Sequence, residues 1–187
     1  MSVQTSPPSG DSRVAPGLQT GLHLQPCSAT AFDGQLVMAW RNDVATRVAS
    51  FHREPKVWAE FGPQFIKDYM GDPDCPALFL VAGGERVAFV RFAPDPILIE
   101  GLKVRTLSIM VSPDHRSRGY GVLALREAMA LMAGRGRRMP FLAIVRAENA
   151  VSHRMFLKAS WTPFDESAHR VEDTGEVCAV VRYLAWS

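Results

Sequence analysis

Apolar and polar residues change rhythm several times along this chain, and each change marks an element. Leu22, Leu24 and Pro26 alternate with other residues at the two-residue period of a short strand. From residue 29 to 52 the rhythm lengthens. Phe32, Leu36, Met38, Trp40 and Val44 give an approximate apolar face with few breakers, which predicts helix. Residues 58 to 70 predict a second helix, weakened at Pro63, where a proline breaks the backbone ladder. Gly71-Asp72-Pro73-Asp74 is a turn signal. The apolar runs at 77 to 82 and 86 to 93 flank Gly83-Gly84 and predict a β-hairpin. Residues 104 to 111, rich in Val, Leu, Ile and Thr, predict a strand that stops before Pro113.

The clearest helix follows, over residues 119 to 134. Val122, Leu125, Met129 and Met132 recur at helical spacing and build one apolar stripe. A buried strand at 140 to 145 comes next, then a short helix at 149 to 159 opened by Asn149, a favourable capping residue. Strands at 161 to 164 and 177 to 184 finish the chain. This order predicts an α/β fold, one mixed sheet with helices packed on it.

Composition narrows the classes. The chain of 187 residues suits a single domain. Residues 1 to 20, rich in Ser, Pro, Gly, Gln and Thr, have few large apolar side chains to bury and predict a disordered tail before a domain at 21 to 187. The net charge of +2 with scattered basic residues argues against nucleic acid as a partner. The densest cluster, Arg135, Arg137 and Arg138, reads as a solvated helix end. No apolar run reaches the roughly 18 residues of a membrane span, and no secretory signal is visible. Cys27, Cys75 and Cys178 are far apart and odd in number, which favours packing roles in a reducing cytoplasm over disulfides or a zinc site. No metal is expected, and a homodimer stays open.

The sharpest local feature joins the strand ending at Val111 to the helix near Gly119: Arg116-Ser117-Arg118-Gly119-Tyr120-Gly121-Val122. A helix N-terminus presents unpaired N–H groups and partial positive charge. Glycines let the main chain approach an anion closely. Together these features suit a pyrophosphate, with Arg116 and Arg118 adding charge nearby. The alternative is a surface turn whose glycines serve only backbone geometry. No Gly-Lys-Ser/Thr follows and the G-x-G-x-x-G spacing is missing, which counts against nucleotide hydrolysis and hydride transfer.

About 30 residues after Gly119 comes a segment from Glu148 and Asn149 to Ser160-Trp161. Strand, loop, helix and this Asn-led segment together resemble the GNAT superfamily of acetyltransferases. The loop is similar to the family's Q/R-x-x-G-x-G/A signature. The resemblance implies a splayed sheet and acetyl-CoA as co-substrate. Backbone groups of Ile109 and Val111 would pair with the pantetheine arm like an added strand. N–H groups from Arg116 to Val122 would cradle the pyrophosphate. Asn149 would bond the pantetheine or act as a plain helix cap. Asn149, Ser152, His153 and Phe156 share one helix face.

Two departures stand out. The family commonly places a tyrosine, the usual acid for the departing thiolate, where this chain has Phe156, which has no proton to donate. Its Gly-Phe ending is Ser160-Trp161 here. Amine acetylation tolerates loss of the acid, since a thiol's ordinary pKa is only about 8.5. Backbone donors on the strand near Met110 would stabilise the developing oxyanion. Glu148, His153 and His52 are candidate bases, though His153 reads first as an exposed polar side chain. On the acceptor side, Trp40-Arg41-Asn42 followed by Arg47 resembles the subgroup that acetylates nucleotide-linked amino sugars, which implies a phosphate held by Arg41 or Arg47 with Asn42 beside them. A protein N-terminus, another small amine, or cofactor sensing without turnover are the alternatives.

Overall fold

The computed structural model describes residues 21–136, 138–171 and 174–187. The expected N-terminal tail and Arg137 of the basic cluster lie outside them. Among the described residues, seven strands form one sheet: β1 (His23–Pro26), β2 (Leu78–Ala82), β3 (Glu85–Ile99), β4 (Leu102–Val111), β5 (Pro140–Arg146), β6 (Thr162–Arg170) and β7 (Val177–Trp186), in the order β1-β2-β3-β4-β5-β7-β6. Neighbours run antiparallel except β4 and β5, which are parallel. That central pairing is short. Only Arg105↔Phe141 and Thr106↔Leu142 are in register, and beyond Thr106 the two halves of the sheet separate.

Helices cover both faces. Helices α4 (Tyr120–Ala133) and α5 (Ala150–Lys158) pack on one, where Ala124, Leu125, Ala128, Met132 and Phe156 join Leu80, Val90 and Phe141 in the larger core. Helices α1 (Ala31–Asn42) and α3 (Trp58–Tyr69) pack on the other, around Val37, Phe61, Phe65, Phe79 and Phe89. The Trp58 ring sits against Gly34 of α1 and Gly62 of its own helix, and a β-carbon at Gly34 would lie 2.8 Å from it. These glycines let the two helices approach.

The helix expected over 29 to 52 is two helices. Asp43 leaves helical geometry at φ −56°, ψ 137°, and its side chain caps α2 (Val44–Ala49) by accepting from the Thr46 N–H at 3.0 Å. A short polar residue that can bond the backbone ahead of it competes with continuation of the helix. Pro63, in contrast, does not end α3. An interior proline costs about 3 kcal/mol. Burial of Phe61, Phe65 and Tyr69 on one face stabilises by about 1.5–3 kcal/mol for each large side chain and outweighs it.

Strand β3 also runs further than its apolar run, through Pro94 and Pro96 to Ile99. Strand β2 pairs only as far as Val90, so the prolines stand where β3 has no second neighbour, and the register with β4 shifts beside them. Glu100 and Gly101 then turn the chain with φ of 51° and 74°. Two successive positive φ values make the primed type of hairpin turn. Two members of the basic cluster at the end of α4 are tied down rather than merely solvated. Arg135 donates to the carbonyls of Pro73 and Asp74, and Arg138 pairs with Glu100 at 2.8 Å and lies over the Trp186 ring.

Candidate active site

The separation of β4 from β5 leaves a strand edge with no strand beside it. The Ser112 N–H donates to Val87 O in β3 at 3.0 Å. Because a strand alternates sides every residue, the N–H and C=O groups of Ser108 and Met110 also face β3. Those of Ile109 and Val111 face the gap. Backbone donors on the open edge are therefore at Ile109 and Val111. Near Met110 these are the N–H groups that the open edge presents, since Met110's own N–H is turned to β3. Side chains alternate too. Ile109 and Val111 pack toward α4 and α5, and Met110 toward α1 and α3.

The loop after β4 leads to the N-terminus of α4. Ser117 and Gly119 take φ of 63° and 84°, and Gly119 caps the helix with no side-chain bond. The first helical bond here is Leu123 N–H to Gly119 O, at 3.2 Å. The N–H groups of Gly119, Tyr120, Gly121 and Val122 thus have no carbonyl within the helix to bond, the arrangement that holds an anion. The two glycines differ. Gly119 is needed for its left-handed backbone. Gly121 is needed for space, because a β-carbon there would collide with Met155 Sδ and lie 3.3 Å from Val111.

Arg116 lines the cleft but is also tethered. It pairs with Asp43 and donates to Thr46 Oγ1 at 2.8 Å, linking the loop to the start of α2. The Arg116 hydrogen bond holds the Asp43 carboxyl below its ordinary value. Arg118 is not among the residues lining the cleft.

On α5, Asn149 Oδ1 accepts from the Ser152 N–H at 3.1 Å and caps the helix, and both residues line the cleft. The cap uses the amide oxygen, which leaves the amide NH₂ as the group Asn149 can offer. Phe156 is buried at 3% exposure, stacked on Tyr183 with ring centres 5.4 Å apart. Tyr183 does not stand in for the missing tyrosine. It lies behind Phe156, bonded to His153 Nδ1 at 2.8 Å, and burial raises its pKa.

Two of the three candidate bases are held by other groups of the protein, away from the cleft. His153 is part-buried rather than exposed, between the Tyr183 hydroxyl and the carbonyls of Arg146 and Ala147. Glu148 is held by Arg146 Nε at 2.6 Å, which lowers its pKa and weakens it as a proton acceptor. Neither lines the cleft; His52 does.

The cleft has a volume of about 810 Å³. Its roof is α2 and the segment after it. Phe51 packs with Val171, Cys178 and Val180 on the far half of the sheet, and its ring centre is 4.5 Å from that of His169. Lys56 is clamped to α1, its N–H donating to Asn42 Oδ1 and its carbonyl accepting from Asn42 Nδ2, both at 2.7 Å. Arg47 donates to the carbonyls of Asn42 and Arg53 at 3.1 and 2.8 Å. Of the three acceptor candidates, Arg41 therefore lines the cleft, while Asn42 and Arg47 hold its roof. Glu54, Lys56 and Arg91 line it as well and carried no sequence signal. Arg91 sits in an apolar strand run and the other two in a breaker-rich connection.

The sequence profile of the Acetyltransferase (GNAT) family matches residues 37–161, which span the roof, the open edge, the loop and α5. The chain is a member of the GNAT family. Solved structures share the fold at low identity. A GNAT superfamily phosphinothricin acetyltransferase from Sinorhizobium meliloti, in complex with AcCoA, is 15% identical with a TM-score of 0.69, covering 88% of each chain. A spermidine N-acetyltransferase from Vibrio cholerae, in complex with CoA and spermine, is 13% identical (TM-score 0.71, 88% of this chain and 95% of that one). A ribosomal-protein-alanine N-acetyltransferase from Brucella melitensis is 16% identical (TM-score 0.69, 87% and 98%). No curated protein sequence matches the chain. Among the described residues of this GNAT acetyltransferase, no group of His, Cys, Asp or Glu is placed to hold a metal ion, and no helix is long and apolar enough to cross a membrane.

Proposed function

We propose that this GNAT member moves an acetyl group from acetyl-CoA to a primary amine at the gap between β4 and β5. The observation that carries the reading is the open β4 edge leading directly into the uncapped N-terminus of α4. Acetyl-CoA supplies an activated acetyl thioester. Ile109 and Val111 offer main-chain groups to an extended arm. The first N–H groups of α4 offer donors to a pyrophosphate. Asn149, Ser152, Arg154 and Lys158 line the same cleft from α5. The amine enters under the roof, where His52 or Glu54 can take its proton through a water. With Phe156 at the usual acid position, the thiolate leaves without a side-chain proton.

The favoured acceptor is a nucleotide-linked amino sugar. The cationic side chains of Arg41 and Lys56 in the cleft support it. Thiol release from acetyl-CoA tests the reading with a UDP-linked amino sugar, the free sugar, spermidine and an alanine-terminated peptide. Arg41→Ala should raise the KM of the UDP form about ten- to a hundredfold, since a charged hydrogen bond contributes about 1.5–3 kcal/mol, and leave the KM of acetyl-CoA unchanged. Arg47→Ala should chiefly lower stability. Thiol release with none of the amines refutes the transferase reading. Equal turnover of free and UDP-linked sugar refutes the nucleotide-sugar acceptor alone.

A further inference from the structure

We infer that the acceptor carries an acidic group and that Arg91 is the residue that reads it; this rests on the cleft being the acceptor site. Arg91 lies in β3 opposite Ser108 of β4, so the two side chains share the face of the sheet toward α1 and α3. Both line the cleft. Ser108 is small, and a guanidinium one strand behind the open edge can reach past it.

Arg91 is already oriented. Its guanidinium lies over the Tyr69 ring at 4.1 Å, and Nη2 donates to Asp68 O at 3.2 Å at the end of α3. These contacts use the flat face and one nitrogen. Nε is buried and has no hydrogen-bond partner. Buried donors are ordinarily paired, and this one, shut off from the cleft in the free protein, gains a partner when the guanidinium turns toward a ligand oxygen. Pinning α3 to the sheet accounts for the stacking and the Nη2 bond but leaves the buried Nε donor unpaired. A guanidinium fork suits the paired oxygens of a carboxylate or phosphate.

The surrounding charge has the same sign. Arg41 and Lys56 line the cleft with Arg91, and among the described residues Glu54 is the one carboxylate lining it. Such a field draws in an anionic acceptor and disfavours a polyamine. The amine end is then directed to the open edge while its acid end stays at Arg91.

The test uses the full chain saturated with CoA, so that binding is read without turnover. Calorimetric titrations compare two acid-bearing amines with their neutral counterparts: methionine with methioninamide, and a UDP-linked amino sugar with the free sugar. The first pair presents a carboxylate and the second a phosphate, which separates the two sources of the charge. At least one acid should bind about tenfold or more tightly than its neutral partner, the range for one charged hydrogen bond. Arg91→Gln should weaken that preference about tenfold, and Arg91→Lys, which keeps charge but loses the fork, should fall between. CoA affinity should be unchanged in both variants. Equal binding within both pairs, no binding at all included, overturns the inference, as does a preference that Arg91→Gln leaves unchanged. An acid preference without thiol release from acetyl-CoA would leave the anion site standing and remove the transferase reading. Thiol release with no acid preference would do the reverse.

Discussion

Single residues explain where this chain departs from its family without losing the fold. Ser160 occupies the position where the family ends its Asn-led helix with glycine. It takes φ of 66°, the left-handed region that glycine adopts freely. The helix closes as a Schellman motif. Trp161 N–H donates to Phe156 O and Ser160 N–H to Leu157 O, each at 3.0 Å, and Trp161 meets Phe156 edge to face. The geometry therefore survives the substitution at the cost of one strained residue. Ser160→Gly should raise unfolding free energy by about 1 kcal/mol, measured by urea denaturation. Gly121 behaves oppositely. Gly121→Ala should cost about 1–3 kcal/mol through overpacking against Met155. Trimming the neighbour in Gly121→Ala/Met155→Ala should relieve that strain, so the double variant should lose less than the two single losses added together. If the losses are additive, the Met155 contact is not what makes Gly121 necessary.

At the scale of elements, the sequence exposed what depends on local rhythm. The loop and α4 were legible because a glycine-rich break sits between a β-rich run and a 3.6-residue stripe. Asn149 was legible as a cap because its neighbours are helical. The break at Asp43 was harder to see. It depends on Arg116, distant in sequence, taking the carboxylate that caps α2. The apolar run at 86 to 93 gave no sign that the strand continues through Pro94 and Pro96, since nothing local says that β2 is too short to reach them. The Asp43 tie has a pH signature. The folded-state pKa is lowered, so the stability it adds is fully present above the unfolded value near 3.8 and is lost as pH falls through the lower folded value. In acid denaturation, Asp43→Asn should flatten the dependence of stability on pH in that window and leave it unchanged above pH 5. An unaltered acid limb would mean that the pair carries no such linkage.

Over the whole molecule, the site belongs to no single segment. The open edge comes from residues near 109, the uncapped helix start from residues near 119, the cap from Asn149 and the roof from residues 42 to 56. The roof also spans the two halves of the sheet, held at Lys56 by Asn42 and beyond the gap by the Phe51 packing. Sequence reading placed Arg41, Asn42 and Arg47 together on the acceptor side. Only the folded chain separates the side chain facing the cleft from the two that hold the roof. Arg91 reaches the site through a strand pairing invisible in sequence. The unpaired β4 edge has a consequence for amide hydrogen exchange. Slow exchange requires a bonded N–H, so the open strand should carry a protection pattern of period two. Met110 and Ser112 should exchange slowly in the free protein, while Ile109 and Val111 exchange fast. Acetyl-CoA should then slow the fast pair selectively, as though an eighth strand had been added for as long as the ligand stays.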